Sequence, residues 1–150
     1  MNVRYGLVWV FVAAVVGLSG CGESVTQSDT AIPVTGTITL DGKPLEGAGV
    51  TFIPLVADQG QGGVGSTDAE GKFEVTHFRT GKGLEPGEYR VAISKLVMQD
   101  GSPIPPGTSS AAELATKNVL GPQYSDPNST TLKANVASGG KPIDFALTSQ

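Results

Sequence analysis

Two side chains stand apart by type. His77 is the only histidine and Cys21 the only cysteine in the 150 residues, and imidazole and thiol are the groups that most readily move protons or attack carbon near neutral pH. A general base needs an orienting partner, and a nucleophile needs a base within hydrogen-bond reach. Neither has one at a recognisable spacing: His77 ends the run KFEVTH, and Cys21 lies far upstream behind an uncharged stretch. Asp68 and Glu70, in the turn DAEG, bring two carboxylates together, yet a calcium site takes about six to eight oxygen ligands. Zinc takes about four ligands drawn from Cys, His and carboxylates, and His77 alone does not assemble such a set. We therefore expect no catalytic residue, no metal site and no cofactor, with His77 a half-buried strand-end residue or a simple solvent-facing one. An enzyme with a site around His77 is the reading that this expectation opposes.

Cys21 invites a different chemistry. It closes Leu18-Ser19-Gly20-Cys21, which follows a start carrying Arg4 and the apolar run LVWVFVAAVVGL. About twelve apolar residues are too few for a helix to cross a bilayer, which takes about 20. A basic start, a short apolar centre and small residues before a cut form an export signal. LSGC resembles the bacterial lipobox, and the resemblance implies cleavage between Gly20 and Cys21 with diacylglycerol attached to the thiol as a thioether. Lipidation also accounts for an odd cysteine in an exported chain. Buried acyl chains contribute ~0.8 kcal/mol per CH₂, so two or three hold a protein on a membrane without a spanning helix. In the sorting scheme of enteric lipoproteins an Asp after the acylated cysteine favours the inner membrane; Gly22 points by the same resemblance to the outer one.

The expected organisation is a signal peptide over 1–20, a flexible polar tether over 21–32 and one domain over 33–150. All 14 acidic residues follow Cys21 while Arg4 precedes it, so loss of the signal moves the net charge from −4 to −5. That surface offers no basic stripe for nucleic acid and no polybasic patch for anionic lipid, so membrane contact is expected through the N-terminal lipid.

Behind the tether, the elements that must position any site follow a period of two. PVTGTITL places Val34, Ile38 and Leu40 on one face, GVTFIP places Val50 and Phe52, KFEVTHF Phe73 and Val75, and GEYRVAIS Tyr89, Val91 and Ile93. TLKANV and PIDFAL add Leu132, Ala134, Val136, Ile143, Phe145 and Leu147, and Thr67 with its neighbours forms a short seventh strand. The spacing predicts an all-β, seven-stranded immunoglobulin-like or transthyretin-like sandwich. Asp41-Gly42, Asp68 to Gly71 and Pro86-Gly87 read as turns, the last as the centre of a type II turn. Tyr89 then buries its ring and lends its hydroxyl to loop backbone. One long Pro-rich loop, residues 99–129, interrupts the pattern with Pro103, Pro105, Pro106, Pro122 and Pro127. Within it Ser110-Ala111-Ala112-Glu113 is a capping box that predicts a short helix from Ala111 to about Asn118, and Tyr124 is the expected anchor.

GTITLDGKPLEGAGVTF, GSTDAEGKFEV and EPGEYRVAIS together resemble the carboxypeptidase regulatory-like family, a transthyretin-like β-sandwich. The matching positions run from Val34 to Leu40, Asp41 to Phe52, Thr67 to Phe73 and Pro86 to Tyr89, with Ile38 where the family's first strand has a valine. YSDPNSTTLKANV and PIDFAL behind a lipobox are further similar to small lipoproteins abundant in planctomycete bacteria. The resemblance implies a fold and an address but no reaction. Enzymes on related sandwiches need several histidines or metal-ligand sets that His77 does not supply. The expected role is a non-catalytic binding or structural module of the cell envelope, meeting a protein partner through an edge strand or the 99–129 loop. The alternative is a starch-binding-like carbohydrate module. Trp9 lies in the signal, so Phe78 and Tyr124 are the candidate aromatics for a polysaccharide, against the favoured expectation that both cover the core under loops. Asn128-Ser129-Thr130 matches a glycosylation sequon and reads as loop.

Overall fold

The structure is a computed structural model and describes residues 31–56, 60–105 and 116–149. The expected signal peptide, the Gly20/Cys21 cleavage and lipidation site, the tether up to residue 30 and residues 111–115 of the expected helix lie outside the described residues.

The described chain is all-β apart from one helical turn. Its strands are β1 (Val34–Leu40), β2 (Lys43–Pro44), β3 (Gly49–Pro54), β4 (Gly63–Ser66), β5 (Lys72–His77), β6 (Gly87–Ser94), β7 (Leu96–Met98), β8 (Thr116–Asn118), β9 (Lys133–Val136) and β10 (Phe145–Leu147), with α1 over Pro122–Ser125. Each of the seven stretches read as strand contains one. Hydrogen bonds join them in the order β10-β1-β5-β4-β3-β6-β9, with β2 folded onto β1 and β7-β8 forming a separate ribbon. Pairing in the main sheet is antiparallel except between β1 and β10, which run parallel. Among the described residues no helix is long and apolar enough to cross a membrane.

The sheet curls so that its apolar face closes on itself. Phe52 on β3 and Phe73 on β5 meet with ring centroids 6.2 Å apart although β4 lies between their strands. Phe52 also meets Tyr89 edge-on at 6.0 Å, and Phe73 stacks on Phe145 at 6.3 Å. β4 permits this because its inward positions are glycines. A Cβ on Gly63 would stand 2.6 Å from the Thr76 carbonyl oxygen and 2.9 Å from Leu84 Cδ2, and one on Gly65 2.4 Å from the Glu74 carbonyl oxygen. Around this centre Val34, Ile38, Val50, Val75, Leu84, Val91, Ile93, Val136 and Leu147 are buried. Each such side chain contributes ~1.5–3 kcal/mol relative to exposure.

The turns follow local chemistry. Asp41 (φ 51°) and Gly42 (φ 77°) both take the left-handed conformation that a two-residue type I′ hairpin requires. In the β4–β5 turn Asp68 Oδ1 accepts the N–H groups of Glu70 (3.0 Å) and Lys72 (2.8 Å), and Gly71 adopts φ 73°. Pro86-Gly87 departs from expectation. Gly87 has φ 152° and is already the first residue of β6, whereas the third position of a type II turn needs φ near +80°. Ile32, assigned to the tether from sequence, pairs with Leu84 through N–H···O bonds of 2.8 and 2.9 Å in both directions, so the fold begins one residue earlier.

The described residues after β6 contain strand and a helical turn where loop was expected. The ribbon β7-β8 pairs Leu96 with Asn118 and Met98 with Thr116, so Thr116–Asn118, expected as the end of a helix, is strand. The physical reason is Asn118: its Oδ1 accepts the backbone N–H of Lys95 (3.0 Å) and of Leu120 (3.1 Å), a side-chain-to-backbone competition that draws the chain out of helix. Beyond it, α1 and the Asp126–Ser129 turn lie against β6. Arg90 donates to the Pro127 carbonyl at 3.0 Å, and the buried Thr130 hydroxyl donates to the Val91 carbonyl at 2.8 Å.

Candidate functional site

Antiparallel pairing sorts the loops to two ends. The first turns of β1, β4 and β6 and the last turns of β3, β5 and β9 share one end, since Val34 faces Val75, Gly63 faces both Phe52 and His77, Pro54 faces Tyr89, and Gly87 faces Val136. The chain enters here, at the Ile32–Leu84 bridge. The Asp41-Gly42 and Asp68–Gly71 turns and the β7-β8 ribbon belong to the other end.

His77 closes β5 at the entry end, half-buried as its parity requires. Its Nδ1 accepts the backbone N–H groups of Arg79 (3.1 Å) and Thr80 (3.3 Å), while its own N–H and C=O bond Lys82 and Gly81. An accepting Nδ1 leaves the ring proton on Nε2. A Cβ on Gly60 would lie 3.7 Å from that Nε2 and 3.3 Å from Glu85 Oε2, so both groups look onto loop backbone. The imidazole thus works as a turn clasp for residues 77–82. Among the described residues no group of three or more His, Cys, Asp and Glu is placed to hold a metal ion.

Several aspartates are similarly engaged. Asp68 supports its hairpin, and Asp126 Oδ1 accepts the Asn128 N–H at 2.8 Å while Oδ2 accepts the Ser129 hydroxyl at 2.9 Å. The Asn128 and Ser129 bonds hold Asp126 below the ordinary aspartate value, in that order of weight. Bonds from Ser149 do the same for Asp41, and bonds from Ser102 for Asp100. Burial pushes the Tyr89 phenol up, with the Glu85 charge adding to it, and its hydroxyl donates to the Glu85 carbonyl at 2.8 Å as the sequence suggested. In the sequon, the Ser129 and Thr130 hydroxyls are both engaged within the turn and against β6.

Phe78 and Tyr124 are not brought together. Tyr124 is half-buried against the core, its hydroxyl 3.3 Å from that of Thr148 beyond the end of β10. Phe78, expected to cover the core under a loop, instead stands 54% exposed past the end of β5, at the entry end, where it continues the outward parity of Thr76. The other exposed apolar residues at or near this end are Val56 (52% exposed), Val64 (41%) and Leu55 (37%). The register places Val64 opposite Thr76, two residues before Phe78 and on the same outward face. Leu55 continues β3 at the same end, its N–H bonded to the Glu88 carbonyl at 3.1 Å. Sequence reading found Phe78 but missed the other three. The available signal was an apolar pair running from a strand into a polar loop, and a valine flanked by glycines.

A second feature lies at the seam of the curled sheet, where β9 and the approach to β10 face each other. A cleft of about 510 Å³ opens there, lined among others by Ile32, Val34, Asn135, Val136, Lys141 and Asp144. Asp144 Oδ1 accepts the Thr37 N–H at 2.9 Å, so this carboxylate replaces a ladder partner for β1. Comparison with family models, with curated proteins and with solved structures finds no match for this chain.

Proposed function

We propose that the protein is an exported, lipid-anchored, non-catalytic module of the bacterial cell envelope, cut before Cys21 and held on the membrane, the outer one by preference, through lipid on that thiol. In this reading the curled sheet is a transthyretin-like sandwich of the carboxypeptidase regulatory-like kind, seven strands forming its two faces. The module binds a protein partner or braces the envelope, and needs no cofactor.

The observation that carries the non-catalytic reading is the engagement of the polar groups. His77 Nδ1 clasps two backbone N–H groups, and Asp68 and Asp126 are occupied in turns. A general base has to offer its lone pair to a substrate proton, and His77 has committed the one that is free of hydrogen. A carbohydrate platform wants neighbouring exposed rings, and Tyr124 sits across the molecule from Phe78. Partner contact fits an edge strand, β9 or β10, or the 99–129 segment, because loops on a rigid scaffold carry recognition.

Two variants test the reading together. Cys21→Ser should leave the membrane fraction or accumulate unprocessed, while His77→Gln should fractionate and fold as the wild type does. Membrane retention of a correctly cut Cys21→Ser protein would refute the anchor. Loss of a measured activity in a folded His77→Gln protein would replace the binding reading with a catalytic one.

A further inference from the structure

The exposed apolar side chains are not scattered. Of the six large ones that the described residues expose, Leu55, Val56, Val64 and Phe78 gather at or near the entry end, and Leu96 and Val119 belong to the ribbon segment at the other. Three of the four sit on loops or strand exits, where neither sheet pairing nor the core requires an apolar residue. Isolated surface apolar groups are ordinary, but a group of them rimmed by polar residues marks a contact surface.

What covers it is argued from where the chain leads. On the anchor reading, on which this inference rests, the lipid sits on Cys21 and the fold starts at Ile32. Cys21 and Ile32 are eleven positions apart, a reach of at most ~36–40 Å even fully extended. The end that carries Ile32 is therefore held beside the bilayer, and it is the end that carries Leu55, Val56 and Phe78. Arg79 and Lys82 flank Phe78 in the same turn and are exposed, a pairing of ring and cation suited to a headgroup layer. Glu85 and Glu88 share this end, so apolar insertion rather than net charge drives the contact.

We infer that the entry end is a second membrane contact: Phe78, with Leu55 and Val56, dips into the lipid interface and sets the domain's orientation on the surface to which Cys21 tethers it. The lipid supplies affinity, and the loop tips supply a fixed pose. The β7-β8 ribbon, at the other end of the sheet, then points away from the membrane, open to a partner.

The test uses the full chain, expressed, processed and reconstituted in vesicles of phosphatidylethanolamine with a minority of phosphatidylglycerol and of lipid brominated near the headgroup end of its acyl chains. Phe78→Trp reports the entry end and Ala69→Trp, in the exposed β4–β5 turn, reports the other. Wild-type protein gives the background, and intact mass on the same samples shows whether Trp9 has left and Cys21 carries lipid. Interfacial burial of ~5–10 Å should quench the Phe78→Trp signal at least about twofold more than the Ala69→Trp signal, with little change when the anionic lipid is omitted. Equal, weak quenching at both positions with Cys21 lipidated overturns the second contact and leaves the anchor standing. Weak quenching with a Phe78→Trp emission that shifts with protein density would likewise overturn it and assign the patch to a second copy of the chain. An unmodified Cys21 overturns the anchor itself.

Discussion

The two ends of the sheet are closed by different means. At the entry end backbone packs on backbone: Ile32 pairs with Leu84, and a Cβ on Gly83 would stand 1.9 Å from the Ile32 carbonyl oxygen, or on Gly62 2.0 Å from that of Phe52. At the far end side-chain oxygens join Gly71, which also packs on backbone, in the closing. The buried Thr67 hydroxyl donates to the Leu45 carbonyl and accepts the Ala48 N–H at 2.8 Å, and Asp41 Oδ1 accepts the Ser149 N–H at 2.9 Å. A contact closed by glycine tolerates no added atoms, whereas one closed by a hydroxyl or carboxylate tolerates no lost ones, and the carboxylates respond to acid.

The largest effect should come from the entry end. Gly83→Val drives a branched side chain into the Ile32 backbone and should cost about 3 kcal/mol or more, seen as a lowered urea midpoint; a shift as small as that of a surface variant would contradict the backbone closure. At the far end Thr67→Val keeps the shape but strands the Ala48 N–H and the Leu45 carbonyl, and should cost about 2–3 kcal/mol. If Thr67→Ser recovers most of that loss, the oxygen is what matters. Gly71→Val occupies φ 73° with a Cβ 2.6 Å from the Ile38 carbonyl oxygen and should cost about 1–3 kcal/mol from backbone strain.

Acid should act on the carboxylate-supported segments. Asp41, Asp100 and Asp126 have folded-state pKa values below the ordinary one. Their contribution to stability is therefore complete above about pH 4, the unfolded aspartate range, and is lost as pH falls through the lower folded values. Asp41 and Asp100 are exposed and Asp126 is partly so, so the effect should be small and local. Amide exchange should quicken at Asn128 and Ser149 before it does in β3 or β6, and uniform loosening would argue against this division. Ser102→Val, in the exposed turn after β7, should change stability by no more than about 0.5 kcal/mol.

How much of this was legible follows the same division. Strands β1, β3, β5 and β6 alternate inward and outward residues, so period two located them and their core faces. β4 was nearly invisible, because its inward positions are glycines and its one large side chain, Val64, faces out. The β7-β8 ribbon could not be read either: two three-residue strands separated by prolines carry no period, and the capping box at Ser110 suggested helix up to Asn118, whose amide instead serves a neighbouring strand. The Tyr89 hydroxyl bond and the His77 strand-end position were legible because parity and a turn fixed them. The apolar group around Phe78 was not, since it is assembled from three separate segments by register alone.

The central claim is that this domain is held at the membrane by its one thiol, and intact mass of the native protein purified from envelopes tests it most directly. The expected result is a chain that begins at Cys21 and carries the added mass of diacylglycerol, with any further acyl chain on its N-terminus. A chain that retains Met1, or that starts elsewhere with Cys21 unmodified, would contradict it.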